Sequence, residues 1–476
     1  AETLKRLPGV TASDGMAGRT GSVALRGLGN GYTQILLNGQ KAPVGFTIES
    51  LTPDMVERVE IVRSATADLR TESIAGTINI ILKAAIDSNA RELKLGLGSS
   101  RERLAPSATW QMSNGDGDLS YSLNATLGRR EFLVTEQQTQ TGSNAAGQQN
   151  LLRFGGFRVR GHIDTLSMTP GLNLAFDNGD TVSLQGFLDA NRFRRYGDIA
   201  AVTKLGAPQR HERNTQLTEN DSVQARTDVS WTHAFDNSAK LVSKLSLDAN
   251  RQDGTFEEQG FSVDEVLNLD DTTLSEVREW GVTSTGKYSL PYIEAHSLQL
   301  GWDGSTTRRR EDRIQHLRET SESAAADSDM DFDARVSRLG IYAQDQWTLG
   351  RLTLNGALRY DNASSRYNET CVGPDRFVPA PYCTEPSDGV SFRDVSPRWG
   401  AAWDVFGTGR TAVKFNMGKY LASAGIDGVY ADANPARRTV NELQRAWNDV
   451  DGDRIVDCDL MNFAPNGECG TFSGGS

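Results

Sequence analysis

Glu57-Arg-Val-Glu-Ile-Val-Arg-Ser64 and Ile74-Ala-Gly-Thr-Ile-Asn-Ile-Ile-Leu-Lys83 are the stretches that decide the predicted fold of this chain. Each contains a short apolar run with the character of a strand, and two similar runs precede them at residues 23–26 and 34–37. Asn38-Gly39 follows the second of these runs and predicts a hairpin turn, since both residue types tolerate positive φ. The N-terminal part of the chain therefore predicts a small strand-rich unit.

A short helix is predicted between these strands. Thr52-Pro53-Asp54 has the composition of a helix start, with proline at the first helical position, and Met55, Val56 and Val59 would continue the helix. The unit is thus predicted as a small α/β domain that spans residues 1–87.

The order and spacing of these segments resemble the plug domain of TonB-dependent outer-membrane receptors. The resemblance implies a small domain that closes the lumen of a transmembrane barrel formed by residues 88–476. The segments that carry the resemblance are Leu4–Val10, Ser22–Gly29, Tyr32–Gly39, Glu57–Ser64 and Ile74–Lys83.

The composition narrows the possible classes of protein. The 476 residues are 37% hydrophobic and carry a net charge of −12. No run approaches the ~18 apolar residues of a membrane-spanning helix, whereas a β-barrel strand needs an apolar residue only at every second position. The net negative charge argues against a nucleic-acid partner.

Beyond Arg91 the chain alternates apolar and polar residues with a period of two. In residues 352–360 the apolar side chains alternate with Thr353 and Arg359, and residues 182–190 follow the same pattern. One face of such a strand suits lipid and the other suits water, and about ten residues cross the hydrocarbon core. A soluble β-sandwich would also alternate, but its strands are usually shorter. The pattern predicts a mainly β fold, a transmembrane antiparallel β-barrel with about thirteen strands between Arg91 and Tyr420.

The predicted connections alternate in length, as in outer-membrane barrels, where short turns lie on one side and long loops on the other. Tight turns are predicted at residues 177–180, 236–238, 349–351 and 406–409. Long polar extracellular loops are predicted at residues 136–157, 193–221, 251–273, 306–333 and 363–393.

The predicted barrel is incomplete. Plugged outer-membrane transporters have about 22 strands, and bacterial barrels have an even number of strands. The plug of this family also has a further N-terminal half and a TonB box, and the residues before Leu4 contain neither. We therefore expect an internal part of a longer receptor, with the C-terminal part of a plug and part of a barrel.

The charged residues of the plug-like stretch are candidates for ion pairs between plug and barrel. Glu57, Arg58, Glu60 and Arg63 match the Glu-Arg-Val-Glu-Ile-x-Arg pattern of the family. The resemblance implies that they pair with charges of opposite sign on the barrel wall, because desolvating a lone charge costs several kcal/mol. An exposed charged strand is the alternative.

The resemblance also implies that the apical loops of the plug contact the ligand. By position these loops are residues 13–19, 28–32 and 40–47. The alternative is that these loops contain ordinary turn residues, and the second loop is so short that barrel loops would make most ligand contacts. The ligand-binding candidates are Arg19, Asn30, Tyr32, Gln40 and Phe46.

The four cysteines form two close pairs, Cys371 with Cys383 and Cys458 with Cys469. Neither pair has C-x-x-C spacing and no histidine lies near either, which argues against zinc. Two local disulfides are predicted, and they favour an oxidising compartment. The start at Ala1 has no signal peptide, which fits either a cytoplasmic protein or a mature or truncated product; the cysteines favour export.

Residues 449–459 resemble the start of an EF-hand calcium loop. Asp449, Asp451, Asp453 and Asp457 occupy positions one, three, five and nine of such a loop. Position six is an arginine and position twelve a leucine, where the motif has glycine and glutamate. A solvated acidic loop is therefore slightly favoured over a Ca²⁺ site.

No catalytic set is apparent, since the five histidines are scattered and suggest neither a triad nor a metal site. The chain is therefore not expected to be an enzyme, and calcium is its one candidate cofactor.

The resemblance implies TonB-dependent active uptake of a scarce ligand across the bacterial outer membrane. The ligand would be an iron chelate, cobalamin or an oligosaccharide. The implied partners are outer-membrane lipid and the TonB energy-coupling complex, which would bind an N-terminal segment that is missing from these residues. We expect a monomer. Two alternatives stay open, a secreted calcium-stabilised β protein that binds glycans or partners, and a passive porin.

Overall fold

The computed structural model consists of β-strands, and its described residues include no helix long and apolar enough to cross a membrane. The structure describes residues 10–12, 23–25, 33–37, 39–41, 56–62, 76–82, 89–100, 103–144, 146–293, 295–319, 326–373, 380–386, 389, 391–408, 410–419, 429, 433–435, 443–450, 456–459, 462 and 464–475.

The N-terminal unit contains a four-stranded mixed sheet, here called the N-terminal sheet. Its strand order is β4-β3-β6-β5, with β3 and β6 parallel and the other pairs antiparallel. Leu37 and Ile78 are fully buried and form an apolar core on one face together with Ile80, and Leu36 is buried on the opposite face. A separate antiparallel pair, β1 and β2, precedes it. The strands are β1 Val10–Ala12, β2 Val23–Leu25, β3 Thr33–Leu37, β4 Gln40–Lys41, β5 Val56–Val62 and β6 Gly76–Leu82.

The predicted helix through Val59 is wrong, because residues 56–62 form strand β5. Val59 pairs with Ile80 and Ile61 with Ile78, so strand pairing prevails over the local helix-start signal. β-branched residues favour this outcome, because they lose side-chain freedom in a helix and pack well on a sheet. The start of the predicted helix, residues 52–55, lies outside the described residues.

A thirteen-stranded antiparallel sheet, here called the wall sheet, follows the N-terminal unit. Neighbouring strands in the sequence are neighbours in the sheet, from β7 to β21, apart from the small pair β18 and β19 in the connection between β17 and β20. The predicted number of about thirteen strands is confirmed. The wall strands are β7 Ala90–Ser100, β8 Arg103–Asp116, β9 Leu119–Ser143, β10 Gln149–Ala175, β11 Thr181–Leu205, β12 Arg213–Ala234, β13 Lys240–Phe261, β14 Leu267–Ile293, β15 His296–Glu319, β16 Ala326–Leu349, β17 Leu352–Tyr367, β20 Ser391–Asp404 and β21 Ala412–Gly418. The remaining strands are β18 Thr370–Val372, β19 Tyr382–Thr384, β22 Leu443–Trp447 and β23 Cys469–Gly475.

The connections at one end of the wall sheet are the predicted tight turns. Gly179, Ser238, Gly350 and Gly407 each have positive φ there, between 57° and 82°. Such backbone conformations reverse the chain within a few residues without splaying the strands.

The connections at the other end differ from the prediction of long loops. Strands β9 to β16 are 22 to 27 residues long and continue through most of the segments that were predicted as loops. Only about ten residues of each are needed to cross a bilayer, so the rest extends beyond it. Polar residues stay in strands here because the backbone ladder continues and cross-strand side-chain pairs add to it.

The wall sheet has the inverse polarity of a soluble protein. On β17 the side chain of Leu358 is 55% exposed, whereas its neighbour Arg359 is fully buried. On β13 Leu245 is 45% exposed and Ser246 fully buried. Adjacent residues on a strand point to opposite faces, so one face of the sheet is apolar and the other is polar. This arrangement is typical of a barrel wall with lipid outside and a polar interior.

Four charged residues on the polar face form a buried ion network. The Arg359 guanidinium donates through Nε to Asp361 Oδ2 at 2.9 Å and through Nη2 to Asp303. Arg338 Nη2 donates to Asp361 Oδ1, also at 2.9 Å. Because each charge has an opposite charge within hydrogen-bonding distance, the network offsets the desolvation that would otherwise exclude it.

Gly340 makes room for this network. Its strand position lies between Asp303 on β15 and Asp361 on β17. A Cβ atom at Gly340 would lie 2.8 Å from Arg359 Cζ and 2.9 Å from Asp361 Oδ1, closer than real contacts allow. Glycine is therefore required here by the close approach of the guanidinium to the backbone.

Gly340→Ala should lower the free energy of unfolding by roughly 1–3 kcal/mol, because the added methyl group displaces the Arg359 network. Gly304→Ala is the matched control, since its Cβ would lie 3.7 Å from the Leu339 side chain in ordinary contact. The control should stay within about 0.5 kcal/mol of the parent protein. Urea unfolding followed by tryptophan fluorescence in detergent measures both, and equal stabilities of the two variants would contradict the role of Gly340.

Candidate functional site

Most of the predicted ligand-binding residues lie outside the described residues. This holds for Arg19, Asn30, Tyr32 and Phe46. Gln40 begins strand β4, where its backbone pairs with Leu37. The predicted contacts of these side chains with a ligand therefore stay predictions.

Three of the four predicted plug–barrel charges lie on β5 and pair with one another. Arg58 donates to Glu57 and, at 2.9 Å, to Glu60. Glu57 and Arg58 are exposed. These contacts hold the charges within the N-terminal sheet, and the fourth residue, Arg63, lies outside the described residues. The predicted pairing with the barrel wall stays a prediction.

Asn79 connects three strands of the N-terminal sheet. Its Oδ1 accepts a hydrogen bond from the Gly39 N–H at 2.8 Å, and its Nδ2 donates to Glu60 Oε2, also at 2.8 Å. Gly39 lies in the turn between β3 and β4, with a φ of 79°, and Glu60 lies on β5. The amide of Asn79 on β6 thus links the hairpin turn to the charged strand.

The hairpin turn of the N-terminal sheet also lies against the wall sheet. A Cβ atom on Gly39 would be 3.6 Å from Lys244 Nζ on β13. Lys244 belongs to the polar face, as do Arg226 and Asp228 on the neighbouring strand β12. The N-terminal sheet therefore contacts the polar inner face of the wall, near the end with tight turns.

Neutral polar side chains form a row across the inner face of four wall strands. Thr165, Asn191, Ser222 and Gln252 are paired in register from β10 to β13. Thr165 Oγ1 donates to Asn191 Oδ1 at 2.8 Å. Hydroxyl and amide groups can both donate and accept, so this row can bind neutral polar ligands as well as water.

An apolar cluster lies on the inner face farther from the tight turns. Phe332, Ala334 and Val336 of β16 and Tyr367 of β17 are buried there. Val429 and Ala433, from the connection after β21, belong to the same cluster. The Ala433 carbonyl also accepts a 2.6 Å hydrogen bond from Thr384 Oγ1. Part of this long connection is thus folded against the inner face of the wall.

The outer ends of β15 and β16 are joined by an ion pair. Arg318 Nη1 donates to Asp327 Oδ1 at 2.7 Å, and His316 Nδ1 lies 2.9 Å from the same oxygen. The hydrogen bond from Arg318 lowers the pKa of Asp327 to about 2. This carboxylate therefore stays charged at neutral pH.

Both cysteine pairs are disulfide-bonded in the structure. Cys371 and Cys383 join β18 to β19, and Cys458 and Cys469 connect the acidic segment to β23. Among the residues that the structure describes, one group has three potential metal ligands close together. It consists of Glu369 and the first cysteine pair, whose sulfurs are already bonded to each other.

The acidic segment itself is only partly described. Asp449 and Asp457 are described, whereas Asp451 and Asp453 are not. Glu468 accepts hydrogen bonds from the Val450 N–H at 2.6 Å and from the Trp447 indole at 3.0 Å. This carboxylate organises the segment from within, and calcium binding stays a prediction.

The geometry defines a class of protein. A long antiparallel meander with an apolar outer face and a charged inner face, together with a small sheet against that inner face, is the architecture of a plugged transmembrane β-barrel.

Comparison with known proteins specifies the family. Residues 156–444 match the family model described as TonB dependent receptor-like, beta-barrel, and residues 1–77 match the TonB-dependent Receptor Plug Domain. The chain belongs to the TonB-dependent receptor family, whose members are transporters and receptors of the outer membrane.

Two curated relatives are named as the vitamin B12 transporter BtuB. The protein from Vibrio vulnificus (strain CMCP6) is 31% identical over 120 residues, which are 24% of this chain and 20% of that protein. The protein from Vibrio cholerae serotype O1 (strain M66-2) is 37% identical over 106 residues, 21% of this chain and 17% of that protein. The chain thus matches about a fifth of the length of these relatives.

A solved structure has the same fold at low sequence identity. The siderophore receptor PiuA from Acinetobacter baumannii superimposes with a TM-score of 0.51 at 12% identity. The superposition covers 85% of this chain and 60% of PiuA.

Sequence reasoning did not single out Asn79, Lys244 or the buried network around Arg359. The alternating pattern already placed Arg359 on the polar face of its strand, and this alternation was the one sequence signal that pointed to an inward-facing arginine. Its partner Asp361 lies two residues along the same strand, whereas Asp303 comes from β15, so the contact with Asp303 depends on register across the sheet. Register is set by turns and pairing that no short motif encodes.

Asn79→Ala should increase hydrogen exchange in residues 33–41, because the Gly39 N–H loses its acceptor and Glu60 loses a donor. A hydrogen bond of this kind contributes about 0.5–1.5 kcal/mol, which corresponds to an increase in exchange of roughly two- to tenfold. Gln34→Ala is the control, since it removes a 3.4 Å contact with Thr77 Oγ1 in the same sheet. If both variants exchange alike by mass spectrometry, Asn79 has no special role.

Proposed function

We propose that this chain acts in the energy-driven uptake of a scarce ligand across the bacterial outer membrane. The observation that supports this proposal most is the N-terminal sheet placed against the polar inner face of a wall whose outer face is apolar. A sheet in that position obstructs passive diffusion through the lumen. It therefore favours active transport over the passive porin.

The contact of the N-terminal sheet with the wall suits a part that must move. Gly39 lies beside Lys244, and the exposed charges of β5 pair among themselves. Exposed ion pairs contribute little to stability, typically 0–1 kcal/mol each. Polar contacts of this kind can be exchanged for contacts with water one at a time. The TonB energy-coupling complex is the partner proposed to supply the work.

The relatives and the inner face support three candidate ligand classes. The relatives named above include vitamin B12 transporters and a siderophore receptor. The neutral row from Thr165 to Gln252 suits a ligand rich in amide or hydroxyl groups. Cobalamin and oligosaccharides have such groups, and a ferric chelate is the remaining candidate. We propose a monomer in the outer membrane, surrounded by lipid along the apolar face.

Linking the hairpin turn to the wall should block uptake. In the double variant Gly39→Cys/Lys244→Cys, a short reducible bis-methanethiosulfonate reagent would join the two sites. Uptake of labelled cyanocobalamin, a labelled ferric chelate and a labelled maltooligosaccharide is measured in cells that express the full-length receptor. The probe that the parent protein transports should enter at least about tenfold more slowly after cross-linking, and reduction should restore its uptake.

The matched control is Ser230→Cys/Lys244→Cys, which links two paired residues within the wall. Its cross-link should leave uptake unchanged, because the N-terminal sheet stays free to move. Unchanged uptake in the Gly39→Cys/Lys244→Cys protein after cross-linking would contradict the proposal. So would uptake of every probe without an energised inner membrane, which would indicate a passive porin.

A further inference from the structure

On β9 to β12 the outer face of the wall sheet changes sharply from apolar to charged residues. Leu127, Leu166, Ala190 and Val223 are paired in register across β9 to β12 and belong to the apolar face. The next row lies two residues farther along each strand, away from the tight turns. Its residues are charged on all eight strands from β9 to β16. This row, here called the charged row, consists of Arg129, Asp164, Arg192, Asp221, Asp253, Glu276, Asp312 and Asp331.

The position of the charged row matches the edge of the hydrocarbon core. On β11 the apolar segment runs from Val182 to Ala190, so Arg192 lies about ten residues from the tight turn. About ten tilted residues cross the hydrocarbon layer, which places Arg192 at the level of the lipid headgroups. Side chains of this row therefore face the polar part of the surrounding lipid.

The charged row is polarised along the sheet. Arginines occupy two of its three positions on β9 to β11, whereas all five positions on β12 to β16 are carboxylates. In the acidic part, burial and the neighbouring Asp331 and Glu276 carboxylates raise the pKa of Asp312. Arginines of the adjacent row neutralise carboxylates here, since Arg251 Nε lies 3.0 Å from Asp253 and Arg278 pairs with Glu276, whereas arginines outnumber carboxylates in the basic part.

A cleft of about 630 Å³ lies in the basic part. Six arginines and His162 line it against two carboxylates. Arg129 Nε donates to Asp164 at 2.6 Å, and Arg194 Nε lies 2.9 Å from Glu219, so both carboxylates hold arginines in place. The arginines that line the cleft are Arg103, Arg129, Arg160, Arg192, Arg194 and Arg195.

Two of these arginines are well placed to bind an anion from the membrane side. The Arg192 side chain is 63% exposed and lies 3.5 Å from Asp221. The Arg160 guanidinium lies over the Tyr196 ring, 4.9 Å from its centre, which fixes its orientation without neutralising its charge. A planar guanidinium binds phosphate with two parallel hydrogen bonds.

We propose that this cleft binds the phosphate groups of a lipid whose acyl chains cover the apolar face beside it. The charge of the cleft fits a phosphate-bearing headgroup, and its height fits a lipid still inserted in the leaflet. This inference rests on the outer-membrane placement proposed above and is independent of which ligand is transported.

The test titrates the purified full chain in detergent with lipid A, a glycolipid with two phosphates, and counts bound lipid by native mass spectrometry. The double variant Arg160→Gln/Arg192→Gln should bind lipid A about twentyfold more weakly. Each cationic side chain near an anionic group contributes roughly fivefold in affinity, and the variant removes two of them. Lipid A without its phosphates should bind the parent protein as weakly as intact lipid A binds the double variant. Arg192→Lys, which keeps the charge without the planar fork, should have an intermediate effect.

The matched control is Arg278→Gln/Arg335→Gln, which removes two arginines of the same outer face beyond the cleft. It should change binding less than about twofold, since neither side chain lines the cleft. Equal weakening in both double variants would overturn the proposal, as would displacement of the lipid by millimolar inorganic phosphate. Heat-modifiable gel migration reports whether each variant is folded. If the double variant fails to fold, the single variant Arg160→Gln is tested in its place. Failed uptake with intact lipid binding would refute the proposed transport alone.

Discussion

A wall strand in a membrane must present every second side chain to hydrocarbon, and the rest of the structure depends on this constraint. Backbone groups have no water partner there, so each strand must pair with both neighbours in a continuous ladder. The side chains that face the other way are then free to be polar. This is why Leu358 and Arg359 can be adjacent although one is exposed and the other is buried.

The polar inner face is held together by contacts of very different strength. The network of Arg359, Asp361, Asp303 and Arg338 is buried and hydrogen-bonded, and it ties β15, β16 and β17 into one rigid surface. The N-terminal sheet lies against the wall through the turn at Gly39, and its own charges pair internally. A rigid wall with a weakly attached inner sheet is the combination that a movable plug requires.

The sequence predicts the wall better than the site. Alternation predicted strands such as β11 and β17, and glycine or asparagine turns marked where they reverse, because both signals are local. The helix predicted through Val59 failed because β6 provides strand partners from outside the local window. The polar outer halves of β9 to β16 were predicted as loops, because composition alone does not show that neighbouring strands continue together. The contacts of Arg359 with Asp303 and of Asn79 with Glu60 depend on register and could not be predicted from a motif.

The most direct test of this account is a spin-label scan of β13 from residue 240 to 254 in lipid bilayers. Labels at odd positions up to 249, such as Leu245→Cys, should be accessible to oxygen and shielded from a water-soluble nickel complex. Labels at even positions, such as Ser246→Cys, should be far less accessible to oxygen, and from Arg251 onward the nickel complex should reach the outward positions. Equal accessibility at residues 245 and 246, or access of the nickel complex to Leu245→Cys, would contradict it.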